Sequence, residues 1–390
     1  MPHVGTDKET GSERLLAAAC ALQAERPPVT ITTRLLAKRA GVHHTLANYT
    51  HGGVAALLTA AFRREQTKFA VALPRMFAES AGALPLSPYQ NFWRAYIYRA
   101  LDGSVPNDGT AGEPIVMQAV DALGDRFPER DRSTHITLAI AWWCLQVGAL
   151  VFDRPLRLGL AIEPFDHGAV QRKAAELLTL LVNQALDPVP CGELAAAPVS
   201  AERPGAATGR KAAEARLVHA AIELLKERAE QGVSGRALAQ RANVNYGLIH
   251  HYFGSKEAVF DAAFEQLHEA YVADMVAADT QRLAAPFSMR SHEPFLRIWA
   301  YRELADIATP PIDLKGMRLL LENILRRRNV ERRTGQDFAE APAHAYCSLA
   351  LQLGWVVCRC DLQETIAADE TDTLARLSAI ARWFVAGDWR

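Results

Sequence analysis

The sequence predicts an all-α protein made of two tandem units, each a three-helix head followed by a helical layer of its own. Three observations carry this. Apolar residues recur at helical spacing, as in Leu217, Ala221, Leu224 and Leu225 and again in Leu238, Ala239 and Ala242, and no β-branched alternation suggests a sheet. Prolines and glycines punctuate helix ends at Pro27-Pro28, Pro85, Pro88, Pro310-Pro311 and Gly335. The chain also repeats itself. With Arg14 placed on Arg216, the two segments run to Phe62 and Phe264 without a gap, and nineteen of the forty-nine pairs are identical. Chance would give about four in so alanine-rich a composition.

The repeat continues more weakly. Phe92, Arg94, Tyr98, Arg99 and Leu101 fall on Phe295, Arg297, Tyr301, Arg302 and Leu304, and Leu145, Gln146 and Gly148 fall on Leu351, Gln352 and Gly354. The expected organisation is a head at 1–64, a helical regulatory and dimerisation layer at 65–186, a linker at 187–209 rich in Pro, Ala and Gly, a second head at 210–268 and a second layer at 269–390.

Composition bounds the rest. The chain has 390 residues, 49% hydrophobic and 22% charged, which excludes a disordered or fibrous chain and supplies more than one core. A net charge of -1 means that any basic footprint must be local. Six cysteines make no disulfide framework, and the first ten residues lack the apolar stretch of a secretory signal. The one membrane suspect, Ile136 to Phe152, contains Thr137 and Gln146 and reads better as a buried bundle helix. A reducing cytoplasm is the expected location.

Within each head the elements follow in order. A first helix is followed by Thr32 or Ser234, whose hydroxyl can cap a second, short helix. Gly41 or Asn243 ends that helix, and both residue types tolerate the left-handed backbone of a tight turn. Val42 or Val244 is an apolar pivot before a third short helix. This is the grammar of a helix-turn-helix.

In the second copy, VSGRALAQRANVNYGLIHHYFGSKEAVFDAAF resembles the DNA-binding region of the tetracycline-repressor (TetR-type) family of bacterial transcription regulators. The matching features are Ala239, Val244, Gly247, Ile249, the pair Tyr252-Phe253 and the run Ser255-Lys256-Glu257 opening a fourth helix. The first copy resembles the family up to its turn and then departs, with Thr50-His51 in place of Tyr252-Phe253 and Gly53-Val54 in place of Ser255-Lys256. The first head is therefore expected to be degenerate, holding DNA more weakly or differently.

Groove geometry assigns roles, because the N-terminal residues of a recognition helix reach base edges. In the second copy these are Asn245, which can bond adenine with two hydrogen bonds, Tyr246, which suits a thymine methyl or a phosphate, and Gly247, which permits close approach. His250, His251 and Lys256 suit backbone phosphates. The first copy offers His43, His44, Thr45, Asn48 and Tyr49, and Thr32, Arg34, Ser234 and Arg236 complete the expected DNA-facing set. Arg210 and Lys211 would form an arm ahead of the second head.

The resemblance implies a four-helix dimer interface, expected at His135–Phe152, Gly168–Leu186, His344–Cys358 and Asp372–Phe384, with Gly148 and Gly354 allowing close approach. It also implies a small-molecule effector, without assigning pocket residues. The aromatic residues of the later helices, Trp142 and Trp143 among them, are equally suited to plain core packing. Cys358-x-Cys360 and the arginine runs at 326–328 and 332–333 are weak candidates for separate sites. No hydrolase, P-loop, zinc or dinucleotide fingerprint is present, so neither an enzyme nor a cofactor or metal is expected.

The expected function is a sequence-specific transcriptional regulator, a repressor of an operator in double-stranded DNA released by a small ligand. Its two units would dock on each other as a pseudo-dimer within one chain, with a true homodimer left open. The rival is a helical ligand-binding or protein-interaction module whose heads have lost DNA binding.

Overall fold

The computed structural model describes residues 10–80, 87–105, 114–160, 167–183, 209–227, 230–278, 285–307, 337–366 and 369–386, with 318 and 322. Among them every regular element is helical. The first eight helices are α1 (Gly11–Glu25), α2 (Thr33–Ala40), α3 (Leu46–His51), α4 (Val54–Ser80), α5 (Gln90–Asp102), α6 (Ile115–Arg126), α7 (Arg132–Gly159) and α8 (His167–Asn183). There follow α9 (Arg210–Glu227), α10 (Gly235–Arg241), α11 (Gly247–Phe253), α12 (Lys256–Ala277), α13 (Glu293–Leu304), α14 (Asp337–Ile366) and α15 (Glu370–Ala386).

Local chemistry starts these helices where the sequence places small polar residues. Thr10 and Glu13 form a reciprocal capping box on α1. Thr32 accepts from Leu35 N on α2, Asp131 from Thr134 N on α7, Ser234 from Ala237 N on α10 and Ser255 from Ala258 N on α12. Each cap satisfies a backbone N–H that has no partner inside its helix. The helices outrun their apolar stretches. The expected His135–Phe152 is the buried middle of a helix with a polar first turn capped by Asp131 and with Pro155 near its end, and His344–Cys358 is likewise the middle of α14.

Two cores form. Leu15, Leu22, Leu36, Ala47 and Leu57 belong to a small apolar core of α1–α4, and α5 packs on α1 beside it. The equivalent residues of the second head, such as Leu217, Leu238, Ile249 and Phe260, belong instead to one large core that continues into Phe295, Trp299 and the long helices. The large core also takes in Trp142 and Trp143, together with Trp93 and Trp355.

α7 and α14 pack along each other at the centre, flanked by α8 and α15. Close approach here needs glycine. A Cβ on Gly148 would lie 1.9 Å from the Ala350 carbonyl oxygen, and one on Gly354 1.8 Å from that of Cys144. α7 is long and apolar enough to cross a membrane, but its apolar stretch is buried inside the protein. Further contacts join the two halves. Arg94 donates to the Leu304 carbonyl at 2.6 Å, Arg297 to that of Leu101 at 2.9 Å, and the rings of Tyr98 and Tyr301 meet edge to face at 6.0 Å. The short turn Pro28–Thr30 abuts the turn Glu230–Gly232.

Some expectations fall elsewhere. The linker at 187–209 lies outside the described residues except for Gly209, as do Cys191, Pro85, Pro310-Pro311, Gly335 and both arginine runs. The boundaries expected after residues 64 and 268 fall inside α4 and α12, so each head shares a continuous helix with the layer behind it. Arg210 and Lys211 are the first turn of α9 rather than an extended arm, because Glu214 one turn on pairs with Arg210 at 2.7 Å.

Candidate nucleic-acid interface

The second head presents α11 on a frame set by the turn before it. Asn243 takes a positive φ of 51°, which reverses the chain after α10, and Val244 donates to the Ala239 carbonyl at 3.0 Å. Val244 and Ile249 then face the core while Asn245, Tyr246, Gly247, His250 and His251 face solvent. A helix of two turns can divide its faces this way because the apolar positions Val244, Leu248, Ile249 and Tyr252-Phe253 fall at helical spacing. Phe253 packs against the large core, as its position in the sequence implies.

The exposed residues are ordered among themselves. The Asn245 side-chain oxygen accepts from Gly247 N at 2.9 Å, which leaves its amide N–H groups outward. Tyr246 is 46% exposed, and its ring stands edge-on to His250 at 5.4 Å. The hydroxyl of Tyr246 and Nε2 of His250 share a hydrogen bond of 3.2 Å, while Nδ1 of His250 lies 3.1 Å from the Gly254 carbonyl. Underneath, the Tyr246 ring rests on Gly235, where a Cβ would come within 2.7 Å of it. Sequence reading missed this support, and a glycine immediately after the Ser234 cap was its only sign.

Lys256 behaves differently from the expectation of a freely offered ammonium. Its Nζ donates to the Val233 carbonyl at 2.9 Å, tying the start of α12 to the residue before α10. One of its three N–H groups is thus spent inside the head. Ser255 caps α12, so the helix N-terminus expected there is formed. Arg236 is exposed on α10, and Arg210 covers the Tyr252 ring at 5.4 Å.

The first head repeats the turn with Gly41 at a φ of 63° and Val42 donating to the Ala37 carbonyl. Thr32 caps α2, and Arg34, His43, His44, Thr45, Asn48 and Tyr49 are all exposed. His43 Nδ1 lies 2.8 Å from the Thr45 hydroxyl, and the rings of His43 and His44 are 4.3 Å apart. Tyr49 is 86% exposed, an unusual state for a large aromatic residue. His51 occupies the place of Phe253 and bonds the Ser12 hydroxyl at 3.1 Å, a polar contact where the second head has an apolar one. α4 begins after Gly52 and Gly53, both at positive φ. No hydroxyl can cap it there.

Of the minor candidates, Cys358 is buried in the bundle and Cys360 is exposed. Residues two apart on a helix stand about 200° apart around its axis, so the pair cannot grip one ion. Among the described residues no group of His, Cys, Asp and Glu has the arrangement of a metal site.

Comparison with known proteins bears on the same segment. Residues 217–263 match the bacterial regulatory proteins, tetR family. The match spans the later part of α9, all of α10 and α11, and the start of α12. The HTH-type transcriptional regulator BetI of Burkholderia ambifaria (strain MC40-6) is 33% identical to this chain over 76 residues, 20% of the chain and 37% of that regulator. The regulators of the same name in Burkholderia mallei (strain NCTC 10229) and Burkholderia pseudomallei (strain K96243) match to the same extent. The chain thus matches little more than a third of the length of these curated relatives. The described residues are helical throughout, and the segment that matches the tetR family is the helix-turn-helix of the second half.

Proposed function

We propose that the protein is a sequence-specific DNA-binding transcriptional regulator whose two halves act as the two subunits of a dimer. One observation carries the reading: within the matched segment, the turn from Asn245 to His251 is a short exposed helix with side-chain amide, phenol and imidazole groups on one face. Such a face fits the major groove, where an Asn can bond adenine and neighbouring groups bond phosphate. The DNA-facing set is Asn245, Tyr246, Gly247, His250, His251, Arg236, Ser234 and Lys256 in the second head, and Thr32, Arg34, His43, His44, Thr45, Asn48 and Tyr49 in the first. No base-reading residue is shared, so the two half-sites of the operator differ.

The pseudo-dimer is supported by reciprocal contacts between residues that the repeat aligns. Arg94 reaches Leu304 and Arg297 reaches Leu101; Gly148 sits on Ala350 and Gly354 on Cys144. A two-fold interface has this property, because contact i to j implies contact j to i.

A small ligand would act as releaser by favouring one separation of the heads over another. Among the described residues, the partly open hollow lined by Phe62, Tyr96, Ile115, Val116, Trp143 and Asp361 holds about 30 Å³, room for a water or two, so such a ligand would have to widen it.

Selection of bound sequences from a random DNA pool tests the reading. Two dissimilar half-sites centred about 34–36 Å apart, with affinity falling steeply as salt rises, are expected. Absence of any salt-sensitive, sequence-selective complex would instead favour a helical module without DNA binding.

A further inference from the structure

Tyr246 and His250 stand one helical turn apart at α11, and their bonds fix which atom carries each proton. Gly254, at a positive φ of 81°, holds the His250 ring at the helix end: its N–H donates to the His250 carbonyl at 3.1 Å, and its own carbonyl lies 3.1 Å from Nδ1. A carbonyl oxygen only accepts, so Nδ1 carries the hydrogen. In the neutral imidazole Nε2 is then bare, and it accepts from the Tyr246 hydroxyl at 3.2 Å. Gly235 beneath the Tyr246 ring helps set the position of that phenol oxygen. Both side chains are exposed.

Protonation decides what this face offers to an anion. With His250 neutral, the Tyr246 proton points at the imidazole and the phenol oxygen shows only lone pairs outward. A phosphate oxygen, itself an acceptor, meets no donor there unless the Tyr246–His250 bond is broken. A proton taken from water onto Nε2 reverses the bond. Nε2–H then donates to the phenol oxygen, the O–H is released to turn outward, and the ring carries a positive charge. One proton thus creates a donor and a cation side by side, the pair that a phosphate binds best.

The charges on the helices that meet α11 are bonded to other groups. On α9, Arg210 pairs with Glu214 at 2.7 Å; on α12, Lys256 bonds the Val233 carbonyl and lies 3.8 Å from Glu257. Arg236 and Arg241 are exposed on α10, and the His251 ring stands 5.1 Å from that of Tyr252. Among the described residues no carboxylate or cation bonds His250. The first head has no such pair, because His44 and Asn48 take the aligned positions.

We propose that Tyr246 and His250 form a proton-operated phosphate contact, so that DNA binding by the second head takes up one proton at His250 and tightens as pH falls. The inference rests on the DNA-binding reading above and deepens it. Imidazole suits the task because its ordinary value of about 6.5 brings the change of charge near neutral pH.

The first test uses the full chain without DNA. With nitrogen-15 in its histidines, the ring shifts of His250, assigned by their loss in His250→Phe, should show the Nδ1–H tautomer at about pH 8. The Nε2–H tautomer would overturn the proposal. The second measures affinity for a mixed-sequence duplex of about thirty base pairs at fixed ionic strength, by fluorescence anisotropy at about pH 8 and pH 5.5. Phosphate contacts carry no sequence information, so no operator is needed. Tyr246→Phe should lower affinity less than about twofold at the higher pH and about tenfold at the lower, where the hydroxyl donates to a charged partner. In a His250→Phe background, where no ring nitrogen engages the phenol, Tyr246→Phe should cost the same at both. The other exposed histidines, His43, His44 and His251, are common to each pair of proteins compared and cancel. A Tyr246→Phe cost in the parent that does not change with pH would overturn the proposal while leaving the DNA reading intact. The Nδ1–H tautomer with no duplex bound at either pH would instead sink the DNA reading, and the phosphate contact with it.

Discussion

Asn245 and Gly235 show how much of the candidate interface depends on single atoms. Asn245→Ala removes both the outward amide and the bond to Gly247 N, and should change base preference at one operator position by about 1–3 kcal/mol, measured by competition gel shifts. Lys256→Ala should weaken binding to all sequences alike, since it touches no base and its loss also frees the Val233 carbonyl. Gly235→Ala is the sharper case. In a helix alanine is more favourable than glycine by about 1 kcal/mol, so thermal stability should hold or rise. The new Cβ would nevertheless displace the Tyr246 ring, which is exposed enough to swing away, and DNA affinity should fall. Unchanged affinity would remove Tyr246 from the contact set. The identities of Asn245, Tyr246 and His250 were legible in the sequence from their place after the turn. Their mutual bonds and the glycine under the ring were not, because they depend on side-chain directions that spacing does not fix.

At the scale of elements, caps and crossings dominate. Ser255→Ala should cost about 1 kcal/mol in denaturant unfolding by exposing the first N–H groups of α12. Gly354→Ala should cost roughly 3 kcal/mol or prevent folding, because the atom it would strike is backbone and the whole of α14 must move. A variant as stable as the parent would mean that α7 and α14 do not cross there. Thr32, Ser234, Gly41 and Asn243 announced their helix ends because capping and left-handed turns are local chemistry. The length of α14 and the continuity of α4 and α12 across the expected boundaries were hidden, since polar turns at helix ends carry no apolar period.

The whole molecule makes its own predictions. Sedimentation should give the mass of one chain if the α7–α14 contact is satisfied internally; a mass of two chains with the bundle formed between them would overturn the pseudo-dimer. Burial pushes the Cys20 and Cys347 thiols up to about 12. Their protons are held in the folded state and released at the ordinary value of about 8.5 on unfolding. Stability from this source is therefore complete below about 8.5 and is lost as pH rises toward 12. Among the described cysteines, Cys360 should react with a thiol reagent at neutral pH while Cys20, Cys144, Cys347 and Cys358 stay protected until the protein unfolds, read by peptide mass spectrometry. Reaction of Cys144 in the folded protein would contradict a closed bundle.

By itself the sequence determined the helical class, the turn between α10 and α11 and the residues that turn exposes, because each follows from period, capping and backbone preference within a few neighbouring residues. Only the tertiary structure decided that the two heads share their cores unequally with the rest, and that Gly148 and Gly354 meet backbone across the bundle. Those facts join residues far apart in the chain, and burial, which sets the cost of a charge or the room for a methyl group, is a property of the packed whole.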